Sequence, residues 1–199
     1  MEIKQEFTIA APLDKVWPVL IDVERVVPSL PGASLDSFEG ENFAGGISVK
    51  LGPVHLKYGG EGTMRHDDLA KSIEVVGRGS ELRGGGTAAA TITASMTPRS
   101  DGQTHVSMFM NLDLAGKPAQ FGRGILVEVT SKLIATFVTR LEAQILAGDE
   151  FEPPLPGEED TVNVLSLGGS ALLKRAAPVI AGAVAGALVA LIVRNLRNR

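Results

Sequence analysis

The residues whose types could do chemistry are three histidines, a pair of aspartates and two glycine-rich stretches. His55, His66 and His105 stand singly, and none has a second histidine or a cysteine at the short spacing that a zinc or di-iron site requires. They read as solvent-facing or locally hydrogen-bonded side chains. Asp67-Asp68 closes an alternating stretch just before Leu69, which fits a turn better than two carboxylates sharing acid–base work. Gly77-Arg78-Gly79 lacks the third glycine of a dinucleotide loop, and Gly84-Gly85-Gly86 lacks the Lys-Ser/Thr pair that would grip a phosphate, so both read as hairpin turns. No Gly-x-Ser-x-Gly elbow occurs, and the absence of cysteine removes disulfides, thiolate metal sites and a thiol nucleophile. The expectation is a binding protein and not an enzyme, with no catalytic residues, no metal ligands and no covalent cofactor.

What remains is apolar patterning, and it defines the elements that must position a site. Glu2 to Ala10 alternates with Ile3, Phe7 and Ile9 on one side, a strand with one wet face. Pro12 opens a short helix reaching Ile21, within which Pro18 removes a backbone donor. Asp22 is placed to cap a second short helix, Val23 to Val27, which Pro28-Ser29-Leu30-Pro31-Gly32 stops. Ile47, Val49 and Leu51 then alternate up to a Gly52-Pro53 turn, and Val54, Leu56, Tyr58 and Met64 continue beyond it. Ile73 to Val76 is a further strand. Ala88, Ala90, Ile92, Ala94 and Met96 alternate with threonine and serine, as Val106, Met108, Met110, Leu112 and Leu114 do with polar residues, Phe109 being the exception. The pattern predicts six or seven antiparallel strands.

After a Gly116-Lys117-Pro118 break, a helical period runs to Ile145. Glu128, Lys132, Thr136, Arg140 and Gln144 form a polar stripe opposite a wide arc of Val129, Leu133, Ile134, Phe137, Val138 and Leu141. A helix of about 25 residues is about 37 Å long, so its broad apolar face needs a whole sheet to pack against. The predicted class is α+β: a curved antiparallel sheet around a long last helix, with two short helices after the first strand.

Such a sheet leaves a space beneath it, and the side chains predicted to face that space are small or flexible. From the sheet these are Leu51, Leu56, Tyr58 and Met64, then Ala90, Ile92 and Ala94, then Met108, Met110 and Leu112. From the helix they are Phe121, Ile125, Val129, Leu133 and Phe137. Methionine adapts to irregular apolar surfaces and alanine leaves room, as a ligand cavity requires. A core simply filled with small residues is the alternative at this point.

Charge is divided along the chain. The net charge is −4, yet residues 1–160 hold 14 basic against 23 acidic residues, and everything after Thr161 is basic or neutral. An acidic body is a poor nucleic-acid binder, because phosphate contact needs clustered cations. Residues 148–162 read as an acidic, proline-rich linker. Within 163–199, residues 176–193 form an uncharged stretch of 18, about 27 Å long as a helix against a hydrocarbon core of about 30 Å. Its eight valines, leucines and isoleucines favour insertion by roughly 2.4 to 5 kcal/mol together. Membrane anchoring is the expectation, and a helix docked on a protein partner is the alternative. The N-terminus carries no pattern of a secretory signal, so the expected location is the cytoplasmic side of the cell membrane.

Residues 1–147 resemble the carbon monoxide dehydrogenase CoxG family, within the START/Bet v 1-like (SRPBCC) superfamily of helix-grip proteins. The likeness is carried by Trp17 through Asp22, by Pro28-Ser29-Leu30-Pro31-Gly32-Ala33, by Ser48-Val49-Lys50-Leu51-Gly52-Pro53 with Tyr58-Gly59-Gly60, and by the glycine turn before Thr87. The most specific block is Leu112-Asp113-Leu114-Ala115-Gly116-Lys117-Pro118-Ala119-Gln120-Phe121-Gly122. The resemblance implies a seven-stranded sheet gripping the last helix, an internal hydrophobic cavity, and association with a molybdenum hydroxylase of the carbon monoxide dehydrogenase type. In that context the expected ligand is a respiratory quinone, menaquinone or ubiquinone, carried between the enzyme and the membrane. A recruitment or maturation factor with an incidental cavity is the alternative, and a cyclase-like enzyme of the same superfamily is a weaker third.

Overall fold

The computed structural model of the chain describes residues 1–51 and 54–148, without the side chain of Leu51. The Gly52-Pro53 turn, nearly all of the linker and the whole of 163–199 lie outside the described residues. Strand β1 (Glu2–Ile9) leads into α1 (Leu13–Leu20) and α2 (Val23–Val26), followed by one 3-10 turn, Val27–Ser29. Six strands follow: β2 (Ala33–Glu39), β3 (Asn42–Leu51), β4 (Val54–Asp67), β5 (Ser72–Glu81), β6 (Gly86–Pro98) and β7 (Thr104–Gly116). A second 3-10 turn, Lys117–Phe121, opens the long α3 (Gly122–Ala147). The strands form one antiparallel sheet in the order β1-β7-β6-β5-β4-β3-β2.

Local chemistry accounts for most boundaries. Asp22 caps α2, its carboxylate accepting from the Arg25 amide at 3.2 Å. Pro18 lies inside α1, which ends two residues later at Leu20. Asp67 builds the β4–β5 turn by accepting from the Leu69 and Ala70 amides at 2.8 and 2.9 Å. Those two amides also hold its carboxyl below the usual carboxylate range, the Ala70 bond most strongly. On the outer face, Phe109 is not an interruption of β7: Lys4 of β1 lies 6.0 Å from its ring centroid.

Three expectations change. Strand β2 and the first half of β3 were not legible, because a bulge between Leu35 and Ser37 breaks the period of two and Gly45-Gly46 carries no pattern. Gly77-Arg78-Gly79 is no hairpin turn: it lies within β5, paired to β4 on one side and β6 on the other. Gln144 does not belong to a wet stripe. It is 5% exposed, with its amide oxygen accepting from the fully buried Ser29 hydroxyl at 2.9 Å and its nitrogen donating to the Arg25 carbonyl at 2.8 Å. The helix turns this polar side chain inward because α2 and the 3-10 turn after it each offer a partner. The wetter face of α3 passes instead through Ser131, Ala135, Thr139 and Ala143.

Candidate functional site

Register shows which side chains share the inner face of the sheet. Ile3 on β1 pairs with Met110, Met110 with Ile92, and Ile92 with Val75. The next inward row runs Leu112, Ala90, Gly77, Gly62, Phe43, and the one beyond it Leu114, Ala88, Gly79, Gly60, Gly45. Two rows of the inner face are therefore almost free of side chains across β4 and β5. Crowding decides most of the glycines. A Cβ on Gly60 would come within 2.1 Å of the Arg78 carbonyl oxygen, and one on Gly62 within 2.5 Å of the Phe43 ring. At Gly77 nothing would stand closer than 3.9 Å.

Helix α3 packs on this face at two separate places. Its C-terminal half joins the larger core, where Leu141 is buried with Ile9, Val16, Trp17, Ile73, Met96 and Val106, and Phe137 and Val138 pack against them. Its N-terminal half joins a second cluster, Val129 with Leu56, flanked by Phe121, Leu133, Val49 and Tyr58. Ala90, Ile92, Met108, Met110 and Leu112 belong to neither cluster and stay half-buried although each faces inward from an interior strand. So the helix closes on both ends of the sheet and leaves the middle open. Met64 and Ala94 border that middle from the larger core.

Of the fifteen side chains expected to line a cavity, the fourteen that are described thus fall in four places. Leu56, Tyr58, Phe121, Val129 and Leu133 come together in the second cluster. Met64, Ala94 and Phe137 lie at the edge of the first, and Ala90, Ile92, Met108, Met110 and Leu112 cover the open middle. Ile125 is 41% exposed at the start of α3, and Leu51 has no described side chain. Ile47, also inward-facing and paired to Tyr58, is 39% exposed, which marks the β3 side as the open edge of the cleft.

Polar groups also reach the apolar lining. Gln5, inward on β1, donates to the Ser131 hydroxyl at 2.9 Å and ties the sheet edge to α3. The Tyr58 hydroxyl is buried and makes no hydrogen bond among the described residues. An orphaned hydroxyl of this kind costs about 1 to 3 kcal/mol. Burial, and then the charge of Glu81, push its ionisation above the ordinary phenol range, so it remains a donor. Glu81 is the cross-strand partner of Tyr58 and is itself 6% exposed. Its Oε2 accepts from the Gly85 and Arg83 amides, both at 2.8 Å. These bonds, led by Gly85, hold its carboxyl below the usual range against the opposing effect of burial. Sequence reading missed Glu81 because the apolar alternation of this strand ends at Val76, five residues short of it; its parity with Ile73 and Val75 is the available signal.

The histidines lie apart from this cleft. His55 shares a 2.6 Å hydrogen bond with Ser48, and His66 stands edge-on to Trp17, 6.1 Å between ring centroids. Trp17 in turn donates to Asp68 at 2.7 Å and has the Lys71 ammonium 4.6 Å above its ring. No group of three His, Asp or Glu side chains suited to a metal forms among the described residues, and none of their helices is long and apolar enough to cross a membrane. A groove of about 580 Å³ crosses the outer face, rimmed by Glu61, Arg78 and Asp113 and floored by Gly59, Ala89 and Ala115.

Known proteins agree with this geometry. A conserved protein from Geobacillus kaustophilus is similar in structure at a TM-score of 0.66, with 19% identity over 73% of this chain and 95% of that one. The ZhuI aromatase/cyclase from Streptomyces sp. R1128 follows at 0.54 and 13% identity, over 74% and 94%. Norcoclaurine synthase from Thalictrum flavum scores 0.50 at 18% identity, over 73% and 94%. At these identities they establish a shared helix-grip fold and nothing of activity. No curated protein matches the sequence. The family model for CoxG, a carbon monoxide dehydrogenase subunit, matches residues 6–146, from β1 to the last turn of α3. With that match over most of its length, and on a helix-grip fold, the chain belongs to the carbon monoxide dehydrogenase CoxG family.

Proposed function

We propose that the protein is a membrane-tethered carrier that takes respiratory quinone, menaquinone or ubiquinone, into the cleft between sheet and α3. In this reading it relays electrons between a carbon monoxide dehydrogenase-type molybdenum hydroxylase and the membrane. The observation that supports it is the open middle of the inner face, where methionine, isoleucine, leucine and alanine stay half-buried between two packed ends. Apolar walls with few polar groups are what a hydrophobic ligand needs to leave a bilayer. Once bound, a quinone accepts two electrons and two protons and leaves as quinol; this chain's own part is to hold the ring, exclude water and present it. Family membership supports the choice of partner. The basic and apolar segment 163–199 supports the tether, and the linker before it would raise the local concentration of carrier at the membrane.

The outer-face groove, with its polar rim, favours one other reading: a recruitment or maturation factor that docks the dehydrogenase without moving a ligand. Filling the cleft separates the two. Ala90→Trp or Ala94→Phe, shown to be folded, is expected to abolish enzyme turnover with membrane quinone as acceptor while turnover with a soluble dye continues. Undiminished quinone-dependent turnover in a folded variant contradicts the carrier reading and leaves recruitment.

A further inference from the structure

We infer that the Tyr58 hydroxyl is the polar anchor of the cleft and donates its hydrogen bond to an uncharged carbonyl oxygen on an apolar ligand. The inference rests on the cleft being a ligand site, and adds which chemical group the site recognises and which side chain does so. Three observations lead to it. First, the hydroxyl is out of contact with water and has no partner among the described residues, while its neighbours in the second cluster are Leu56, Val129, Phe121 and Leu133, none of which offers an acceptor side chain. A buried O–H donor without an acceptor is unusual, and a bound ligand is one way to supply the missing lone pair.

Second, the inner face next to it carries almost no side chains. The inward positions that follow Tyr58 along β4 are Gly60 and Gly62, and those opposite them on β5 are Gly79 and Gly77. A ring approaching the hydroxyl therefore meets backbone and the Phe43 ring above Gly62. At Gly77 even an added methyl would keep 3.9 Å of clearance.

Third, Glu81 decides the charge of the acceptor. It sits directly across from Tyr58 with its Oε2 held by the Gly85 and Arg83 amides, and no hydrogen bond joins it to the phenol. An ionised carboxylate at this place repels a fatty-acid or phosphate headgroup, and a buried pair of like charges is costly. A neutral carbonyl meets no such opposition. Quinone rings and lipid esters both carry one, and the two sources are separable by experiment.

The test uses the full-length protein in detergent. It compares wild type with Tyr58→Phe for saturable binding of menaquinone-1, methyl palmitate and palmitate, and for the infrared carbonyl band of bound, carbonyl-labelled menaquinone-1. The expected results are that wild type binds the quinone in preference to palmitate and that Tyr58→Phe weakens quinone binding about tenfold, the range of one neutral hydrogen bond. One carbonyl band is shifted down in wild type and returns in the variant. The ligand-free Tm of Tyr58→Phe is unchanged or higher, because the deleted hydroxyl had no partner. Equal quinone affinity with an unshifted band overturns the anchor and leaves the quinone reading standing. Tyr58-dependent binding of methyl palmitate without quinone binding keeps the anchor and overturns quinone as the ligand. Palmitate bound as well as its ester overturns the selection for a neutral group, and a Tm lowered in Tyr58→Phe with unchanged affinity overturns the anchor by marking a structural hydroxyl. Wild type that binds none of the three overturns both readings.

Discussion

Single side chains in this protein are committed to different tasks by what surrounds them. Gln144 is structural: it satisfies both the Ser29 hydroxyl and the Arg25 carbonyl in a place without water. Gln144→Ala leaves both unpaired and is expected to cost about 2 to 3 kcal/mol, a fall in Tm of roughly 5 to 10 °C for a chain of this size, read by calorimetry. Glu81 gives a pH dependence of definite sign. Its folded-state pKa lies below the unfolded value, so its contribution is complete above the unfolded pKa and is lost as pH falls through the folded one. Stability should therefore decline below about pH 4.3, and Glu81→Gln should flatten the fall of Tm in that acid range. An acid limb equally steep in the variant would assign the decline to other carboxylates.

At the scale of elements, legibility followed periodicity. Strands β4, β6 and β7 have one apolar and one polar face, so alternation in Leu56, Tyr58, Ala90, Ile92, Met108 and Met110 was enough to place them inward. Where that signal was interrupted, the element was lost. The bulge at Leu35 hid β2, and glycine within β5 imitated a turn because glycine marks both a turn and a wall without side chains. The split of α3 between two cores was beyond sequence, since Val129 and Leu141 belong to one wide apolar arc and nothing in that arc says which cluster each joins. The glycines of β4 and β5 make a paired prediction. Gly60→Ala must displace the Arg78 carbonyl and is expected to destabilise by about 3 kcal/mol or more in denaturant titration. Gly77→Ala enters open space and should be neutral or stabilising by up to about 1 kcal/mol. If both cost the same, backbone crowding does not account for the glycines.

At the scale of the whole molecule, the sheet and α3 are joined at two ends with an accessible apolar middle, and the chain continues beyond Gly148 into an acidic linker and a basic, apolar end. Removal of residues 163–199 is expected to release the protein from membrane fractions into the supernatant on ultracentrifugation while leaving residues 1–147 folded by circular dichroism. Continued sedimentation with membranes would place the attachment elsewhere. That deletion does not distinguish carrier from recruiter, since both need the membrane. The most direct measurement is of cargo: organic extraction and native mass spectrometry of the full-length protein, purified in detergent from cells that make quinone. The carrier reading predicts one quinone per chain, absent from the folded Ala90→Trp variant. Wild type that carries no quinone and shows no saturable quinone binding would contradict it.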